Sequence, residues 1–304
     1  MDFIKKVPLA ISGLALSIAA LGNLLLPYGE IVWILCIILS ATILSVFLTK
    51  VILDFENVME ELKNPAILGV LPTSAMALML LSAYTKPYLG DLSLYIWYTA
   101  IIIHLLIMLL FVKRFVVRFR LETVFPSWFV VNGGFVAASV TSPVMGTIEV
   151  GQALFYIGFV TCLIILPILI YRLIKIGPLP EPLRPTIAIF TAPTNLLIAG
   201  YLAAFEQPNT LLVYIMLVVA VIGYIYVSIN MVSLLRLKFY PTYAAFTFPY
   251  VISATAFNAV NVLLVENGYN FFYPAAIISK WIAIVVVVYV LIRYAIFLFS
   301  TPRT

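Results

Sequence analysis

The sequence predicts an all-α integral membrane protein in which ten transmembrane helices form five helical hairpins, arranged as a quasi-fivefold ring around a central pore. Three observations favour this fold class: an extreme apolar composition, ten apolar stretches of spanning length, and a proline that recurs at a nearly constant interval. We expect residues 1–304 to form a single membrane domain.

The composition of the 304 residues is incompatible with a soluble globular protein. Hydrophobic residues make up 64% of the chain and charged residues 10%, whereas soluble domains are about 45–50% apolar and about 25% charged. Because a soluble fold has no means of burying that much apolar surface, lipid has to be the solvent for most of it.

Ten stretches satisfy the requirement of about 20 predominantly apolar residues for a spanning helix. The predicted spans are residues 7–27, 31–52, 66–85, 92–113, 125–143, 149–172, 184–204, 209–233, 241–264 and 271–298. The first follows Lys5 and Lys6, as the apolar part of a signal peptide would. It lacks a small-residue cleavage site, however, and another apolar stretch follows almost at once, so we interpret it as a span.

A proline opens each odd-numbered span. These prolines are Pro8, Pro65, Pro126, Pro185 and Pro241, separated by 57, 61, 59 and 56 residues. Proline in the first turn of a helix costs little, because its missing N–H would be unpaired there anyway. The interval predicts five repeats of one unit, each consisting of an odd helix, a short turn and an even helix.

The odd and even spans differ in composition. Odd spans carry small residues and helix breakers, as in PSWFVVNGGFVAASVTSP, whereas even spans are bulky, as in IVWILCIILSATILSVFL. Small residues let membrane helices approach closely, and irregular backbone at membrane depth is tolerated only inside protein or beside water. We therefore expect the odd helices to be interior and the even helices to face lipid.

The distribution of basic residues predicts the orientation. Of the 17 Lys and Arg residues, fifteen, from Lys5 to Arg303, lie on the side of the membrane that holds the N-terminus. Lys86 lies on the other side and Lys280 within the last span. The positive-inside rule then places both termini in the cytoplasm of a multi-pass plasma-membrane protein.

A second set of helix breakers lies near the middle of the odd spans and predicts a pore. Proline bends a helix, and five parallel bent helices in a ring leave a passage along their axis. The predicted pore-lining residues are Ala15, Leu71, Pro72, Gly133, Gly134, Ala192, Pro193, Thr194, Thr247 and Pro249.

The stretches FTAP at 190–193 and FTFP at 246–249 indicate where this pore closes. Phe248 occupies a position at which the other repeats have mostly small residues, and a dewetted apolar constriction is a recognised gate. We predict that Phe248 is the pore gate. Ordinary packing of Phe248 between helices, and a gate at Phe190 or Phe246, remain as alternatives.

The odd helices contain no charged residue between their ends. A carrier that held a carboxylate tightly would be expected to place Arg or Lys in its site, so the absence of such residues favours a channel. The basic residues on the N-terminal side would attract anions, but topology and lipid headgroups explain the same bias. The sign of the ion is therefore open at this point.

The proline-opened hairpins, the segment PSWFVVNGG and above all YAAFTFPYVISATA make the chain similar to the tellurite-resistance/dicarboxylate transporter family. That family includes bacterial TehA proteins, fungal malate permeases and the slow anion channels of plant guard cells. The resemblance covers essentially the whole chain. It implies ten helices in a quasi-fivefold ring, a homotrimer with one pore per subunit, and a pore-blocking phenylalanine in the ninth span, which is Phe248 here.

The resemblance also implies a function and its alternatives. A channel of this type passes chloride, nitrate and related monovalent anions. The alternative is a proton-coupled secondary transporter of C4-dicarboxylates such as malate, or of tellurite, and a non-conducting scaffold or sensor is a third reading. We expect small anions or dicarboxylates and the lipid bilayer as partners, with no nucleic acid, cofactor or metal. Enzyme motifs such as GxSxG and the P-loop are absent, so we predict no enzyme activity.

Three features outside the predicted pore carry separate expectations. Lys280 raises the pore potential if it points inward, lies at the subunit interface, or extends toward the outer interface, since an ionisable group in a span is by default a functional candidate. His104 is expected to be buried and hydrogen-bonded, without a role as a proton sensor. The acidic loop at 53–65 is expected to extend the second helix and to cap it at Asn64.

Overall fold

In the computed structural model, which describes residues 2–300, the chain is helical and that part of it contains no strand. The all-α prediction is confirmed. Ten helices are long and apolar enough to cross a membrane: α1 (Ile11–Tyr28), α2 (Glu30–Leu53), α3 (Pro65–Leu89), α4 (Asp91–Val116), α5 (Ser127–Met145), α6 (Ile148–Ile176), α7 (Glu181–Ala204), α8 (Thr210–Leu234), α9 (Pro241–Glu266) and α10 (Tyr273–Phe299). Arg303, which contributed to the charge bias, lies outside the described residues.

The odd helices are interior and the even helices are peripheral, as predicted. In the apolar 18-residue stretch of each odd helix, 72, 78, 72, 67 and 61% of the residues are buried, in chain order. The corresponding values for the even helices are 22, 22, 28, 22 and 33%. Each odd helix packs against the even helix that follows it, and the odd helices contact one another in the order α1, α3, α5, α7, α9 and back to α1.

Four of the inner helices change geometry part-way along. Two are broken: α3 consists of Pro65–Val70 and Thr73–Leu89, and α5 of Ser127–Gly133 and Val136–Met145. The other two, α7 and α9, begin as 3₁₀ helices and become α-helical at Ala192 and Thr247. The mid-span prolines of α3, α7 and α9 lie at the start of the second segment, where a missing N–H is tolerated. We refer below to the first and second segments of these helices.

The proline pattern holds least well at α1, which begins at Ile11, three residues after Pro8, and at α7. The first segment of α7 begins at Glu181, four residues before Pro185, and Pro182 occupies the first turn. Pro185 lies inside a 3₁₀ helix, a geometry used in short pieces beside α-helix ends. The proline interval therefore predicts the helix start only to within a few residues.

The outer helix α6 departs from the expectation that even helices are uniformly bulky. It contains Gly151 and Gly158, and a Cβ atom added at Gly158 would lie 2.2 Å from the Cγ2 atom of Val136. A Cβ atom added at Gly151 would lie 2.0 Å from the Oγ atom of Ser142. Both positions let α6 approach α5 closely, which is how small residues act between membrane helices.

The expectation for the acidic loop was wrong. The chain leaves α2 at Asp54, and a separate helix runs from Phe55 to Glu61. Asn64 caps the start of α3, where its side chain accepts a hydrogen bond of 2.9 Å from the backbone N–H of Ala66. A residue that precedes proline is biased to extended backbone, and extended backbone with an asparagine side chain is the usual arrangement of a helix N-cap.

Candidate functional site

A cavity of about 350 Å³ lies among the inner helices, and all five contribute to its wall. Each inner helix has residues in the wall, for example Gly13 of α1, Thr73 of α3, Gly133 of α5, Pro193 of α7 and Phe248 of α9. The wall extends no further than Met76 along α3 and Pro249 along α9, so the cavity occupies the N-terminal half of these helices.

The cavity extends to the face of the protein at which the inner helices begin, which we call the entry face. Glu61 and Asn64, which precede α3, belong to its wall. Tyr240, which precedes α9, also belongs to it. The cavity is therefore a recess that runs from this face to the middle of the span.

The structure brings together part of the residue set predicted to line the pore. Those in the cavity wall are Gly133, Gly134, Ala192, Pro193, Phe248 and Pro249. Those not in the wall are Ala15, Leu71, Pro72, Thr194 and Thr247. Near the last group, Gly13, Val70 and Thr73 line the cavity instead. Successive residues of an α-helix point about 100° apart, so a shift of one or two positions selects a different face.

Ala15 illustrates the difference in facing. It is fully buried, and its backbone carbonyl accepts a hydrogen bond of 2.7 Å from the Ser40 hydroxyl on α2. At that position α1 packs against its outer partner. Gly13, two residues earlier, lines the cavity in its place.

Phe248 differs from the other two candidate gate residues in its surroundings. It lines the cavity and is 8% exposed, whereas Phe246 is fully buried with its ring 4.9 Å from that of Tyr243. Phe190 packs between Phe129 and Tyr226, at 6.2 and 6.3 Å between ring centroids. Of these three, Phe248 alone lies in the wall and, among residues 2–300, stacks on no other aromatic ring.

Phe129 is a wall residue that the sequence analysis missed. It is 5% exposed and lies on the first segment of α5. A sequence signal for it does exist, because it precedes Gly133 by four residues and so shares a helix face with it.

The cavity wall is poor in charge. Within the described part of the chain, Glu61 is the only Asp, Glu, Lys or Arg residue in it. The uncharged polar residues of the wall are Asn64, Thr73, Thr161, Thr186, Tyr240 and Thr242. An ion inside the cavity therefore meets hydroxyl and amide groups and one carboxylate.

Several polar side chains of the inner helices form hydrogen bonds with a neighbouring inner helix. The hydroxyls of Ser12 and Thr73 lie 2.7 Å apart and link α1 to α3. The hydroxyls of Thr191 and Ser253 lie 2.9 Å apart and link α7 to α9, and the Asn195 amide donates to Ser253 at 2.9 Å. Such hydrogen bonds hold neighbouring membrane helices together, here close to the points where their geometry changes.

One outer helix also reaches the cavity. Gly158, Thr161, Cys162 and Ile165 of α6 belong to the wall beside Gly133 and Gly134. Glycine has no side chain, so α5 does not cover this part of the wall and α6 contributes to it. No pattern in the sequence predicted this contribution from an even helix.

Lys280 and His104 lie away from the cavity wall. The Lys280 ammonium donates to the Tyr28 hydroxyl at the end of α1, 4.6 Å from the centre of that ring. That Lys280 raises the electrostatic potential of the pore stays a prediction. His104 is fully buried, with Nε2 3.1 Å from the carbonyl oxygen of Val131, and its ring centroid is 4.1 Å from that of Phe135. Burial and a hydrogen bond were expected for it.

At the entry face, Glu61 belongs to a small charged cluster. Lys50 is only 2% exposed and forms an ion pair with Asp54, while its Nζ atom lies 3.8 Å from Oε1 of Glu61. Burial raises the pKa of Glu61 above its ordinary value. The hydrogen bond from Lys50 lowers the pKa of Asp54, so Glu61 is the carboxyl group of this cluster that takes up a proton first.

A family model described as SLAC1, voltage-dependent anion channel, matches residues 6–301. The chain belongs to the SLAC1 family. This confirms the resemblance seen in the ninth span and in the proline-opened repeats. SLAC1 proteins are anion channels or transporters and not enzymes, and ten apolar helices make this one a multi-pass membrane protein. None of the curated proteins compared with the chain matches it significantly.

Proposed function

We propose that the protein is a passive channel for small monovalent anions such as chloride and nitrate, closed by Phe248. The observation that carries this proposal is a cavity to which all five inner helices contribute and whose wall on α9 ends at Phe248 and Pro249. In this proposal the inner helices form a quasi-fivefold ring, and the phenyl ring is the dewetted constriction that stops ion flow.

The chemistry of the wall supports a channel over a carrier. A carrier that binds an oxyanion tightly needs Arg or Lys donors, and the wall contains neither among the residues described. Hydroxyl and amide groups replace only part of the hydration of an anion. Weak binding of that kind lets an ion leave as readily as it enters, as conduction requires.

The wider assembly is proposed on the resemblance and on the charge bias. We propose a homotrimer with one pore per subunit in the plasma membrane, with both termini in the cytoplasm. The entry face is then the cytoplasmic one. The five repeats from Pro8, Pro65, Pro126, Pro185 and Pro241 would form one membrane domain.

A second candidate function is favoured by one observation. Glu61 is a protonatable carboxyl group in the cavity wall, and proton-coupled carriers use such groups. The alternative is therefore a proton-coupled transporter of C4-dicarboxylates such as malate, or of tellurite.

The decisive experiment is to record purified wild-type and Phe248→Ala protein in planar bilayers. We expect the substitution to raise the chloride current roughly tenfold or more, which corresponds to a barrier lower by about 1.4 kcal/mol. Phe246→Ala is the matched control, because it is the same chemical change two positions away and off the cavity wall. It should leave the current at the wild-type level.

Ion gradients distinguish the two candidates. For a channel, the reversal potential of the Phe248→Ala current follows the chloride gradient and ignores a pH gradient. A current that stays at background, together with malate uptake driven by a pH gradient, would establish the transporter. Absence of both current and uptake in every variant would leave a non-conducting scaffold.

A further inference from the structure

Glu61 lies between the cavity and the surface of the protein. It lies at the end of the short helix Phe55–Glu61, outside the spans, yet it is a member of the cavity wall. It also lines a second, shallower cleft at the same face, together with Lys5, Lys50, Asp54, Asn57 and Glu60. Glu61 is thus where the surface cleft and the cavity meet.

The group formed by Lys50, Asp54 and Glu61 carries a net negative charge when Glu61 is ionised, and Lys5, which lines the same cleft, adds one positive charge beside this group. Lys50 supplies one positive charge and Asp54 and Glu61 supply two negative charges, which leaves one negative charge. Lys50 also donates to the backbone carbonyl of Lys5 at 3.1 Å, so its ammonium is held in place and Asp54 is its close partner. The Glu61 carboxylate, 35% exposed, is only partly neutralised.

We infer that Glu61 determines how readily anions enter the cavity: ionised, it opposes entry, and neutralised, it admits them. This inference rests on the proposed channel function. A like charge at the mouth of a low-dielectric recess lowers the local concentration of the permeating ion. Protonation of Glu61 removes that charge without leaving Lys50 unpaired, because the ion pair between Lys50 and Asp54 remains.

The other ionisable groups nearby do not provide the same control. Glu60 is 70% exposed and lies 2.5 Å from the ammonium of Lys63. Tyr240, on the opposite part of the wall, donates to Glu181 at 2.7 Å, and this hydrogen bond raises the pKa of the phenol further. Lys5, Lys50 and Lys63 are amines, so none of them carries a negative charge that could oppose the entry of anions. Glu61, whose pKa is raised by burial, is therefore the wall group that loses its charge first as the pH falls.

The direction of the pH effect follows from that shift. Because burial raises the pKa of Glu61, this residue begins to take up a proton at a higher pH than an ordinary glutamate does, and its protonated fraction grows as the pH falls. Anion current should therefore rise on acidification. A change of one charge within several ångströms of the path corresponds to a roughly two- to fivefold change in current.

The test uses the Phe248→Ala channel, so that the gate does not limit the current, in planar bilayers with the same pH on both sides. As the pH is lowered from 7.5 toward 5 the parent current should rise, by roughly two- to fivefold once Glu61 is protonated. Adding Glu61→Gln should give the higher current already at pH 7.5 and remove its pH dependence. Adding Glu60→Gln, the matched control, should reproduce the parent curve. Glu61→Lys, which gives the cluster a net positive charge, should conduct more than Glu61→Gln.

Each outcome has a distinct meaning. If Glu61→Gln keeps the pH dependence of the parent, or if Glu61→Lys conducts less than the parent at pH 7.5, the role of Glu61 is overturned while the channel stands. If Phe248→Ala carries no current at any pH, the channel itself is overturned. Gel filtration of each variant before reconstitution verifies that a change in current is not a change in folding.

Discussion

The outer helices are the more apolar of the two classes, yet the inner helices are the ones that are buried in the protein. The inner helices contain the breaks, the 3₁₀ segments and most of the wall of the cavity, and 61–78% of their apolar stretches are buried. The outer helices are 22–33% buried by the same measure. In a soluble protein the more apolar helix is the interior one. Here lipid is as apolar as the protein interior, so small residues and proline mark the interior instead.

The largest effect that tests this comparison should come from Gly134. A Cβ atom there would lie 2.6 Å from Cε1 of His104 and 2.7 Å from Sδ of Met76, so no side chain fits between α3, α4 and α5. We expect Gly134→Ala to destabilise the protein by about 1–3 kcal/mol, as overpacking does. Thermal unfolding of the detergent-solubilised protein measures this loss.

The neighbouring glycine is the matched control. A Cβ atom at Gly133 would meet nothing within 4 Å, and this residue lines the cavity. Gly133→Ala should therefore leave stability within about 0.5 kcal/mol of wild type. Equal losses for the two variants would show that close packing does not distinguish these positions.

A smaller loss of stability should result from removing a polar side chain of an inner helix than from filling the space at Gly134, and the same removal on an outer helix should cost less still. The Asn195 amide on α7 donates to the Thr191 backbone and to Ser253 on α9, so it links two inner helices. We expect Asn195→Leu to lower stability by about 1 kcal/mol, the usual size of an interhelical hydrogen bond in a membrane. The melting temperature reports this change.

Asn230 on the outer helix α8 provides the comparison, because its amide donates to Tyr226 of the same helix. Asn230→Leu should leave the melting temperature unchanged or raise it slightly. A greater loss for Asn230→Leu than for Asn195→Leu would contradict the assignment of inner polar residues to helix pairing.

The sequence was sufficient to predict the number of spans, their class and the approximate depth of the breaks, because each depends on length or on residue size. Helix rotation was not predictable to the same degree. Gly13 and not Ala15 lines the cavity, since a helix that is apolar on all faces has no amphipathic pattern to fix its rotation. Glu61 was not predicted for another reason. It belongs to the short helix between α2 and α3, and no pattern in the sequence around it indicates that this helix contributes to the cavity wall.

The smallest predicted effect concerns α6, the outer helix that contributes residues to the cavity wall. Cys162 on α6 is 8% exposed and lies in the cavity wall, whereas Cys36 on α2 does not. In the Phe248→Ala channel, a membrane-impermeant thiol reagent should reduce the current partially, because it adds bulk to the wall. Cys162→Ser should abolish the reduction although Cys36 remains. A reduction that survives Cys162→Ser would remove α6 from the pathway.

The size of the cavity has an electrical consequence. A volume of about 350 Å³ holds on the order of ten water molecules, each with about 30 Å³ in the liquid. On the proposed mechanism an ion keeps most of its hydration up to the phenyl ring, so the recess and the constriction act as two resistors in series, one low and one high. Nearly all of the applied voltage then falls across the few ångströms around Phe248, and the rest of the wall contributes little to the total resistance.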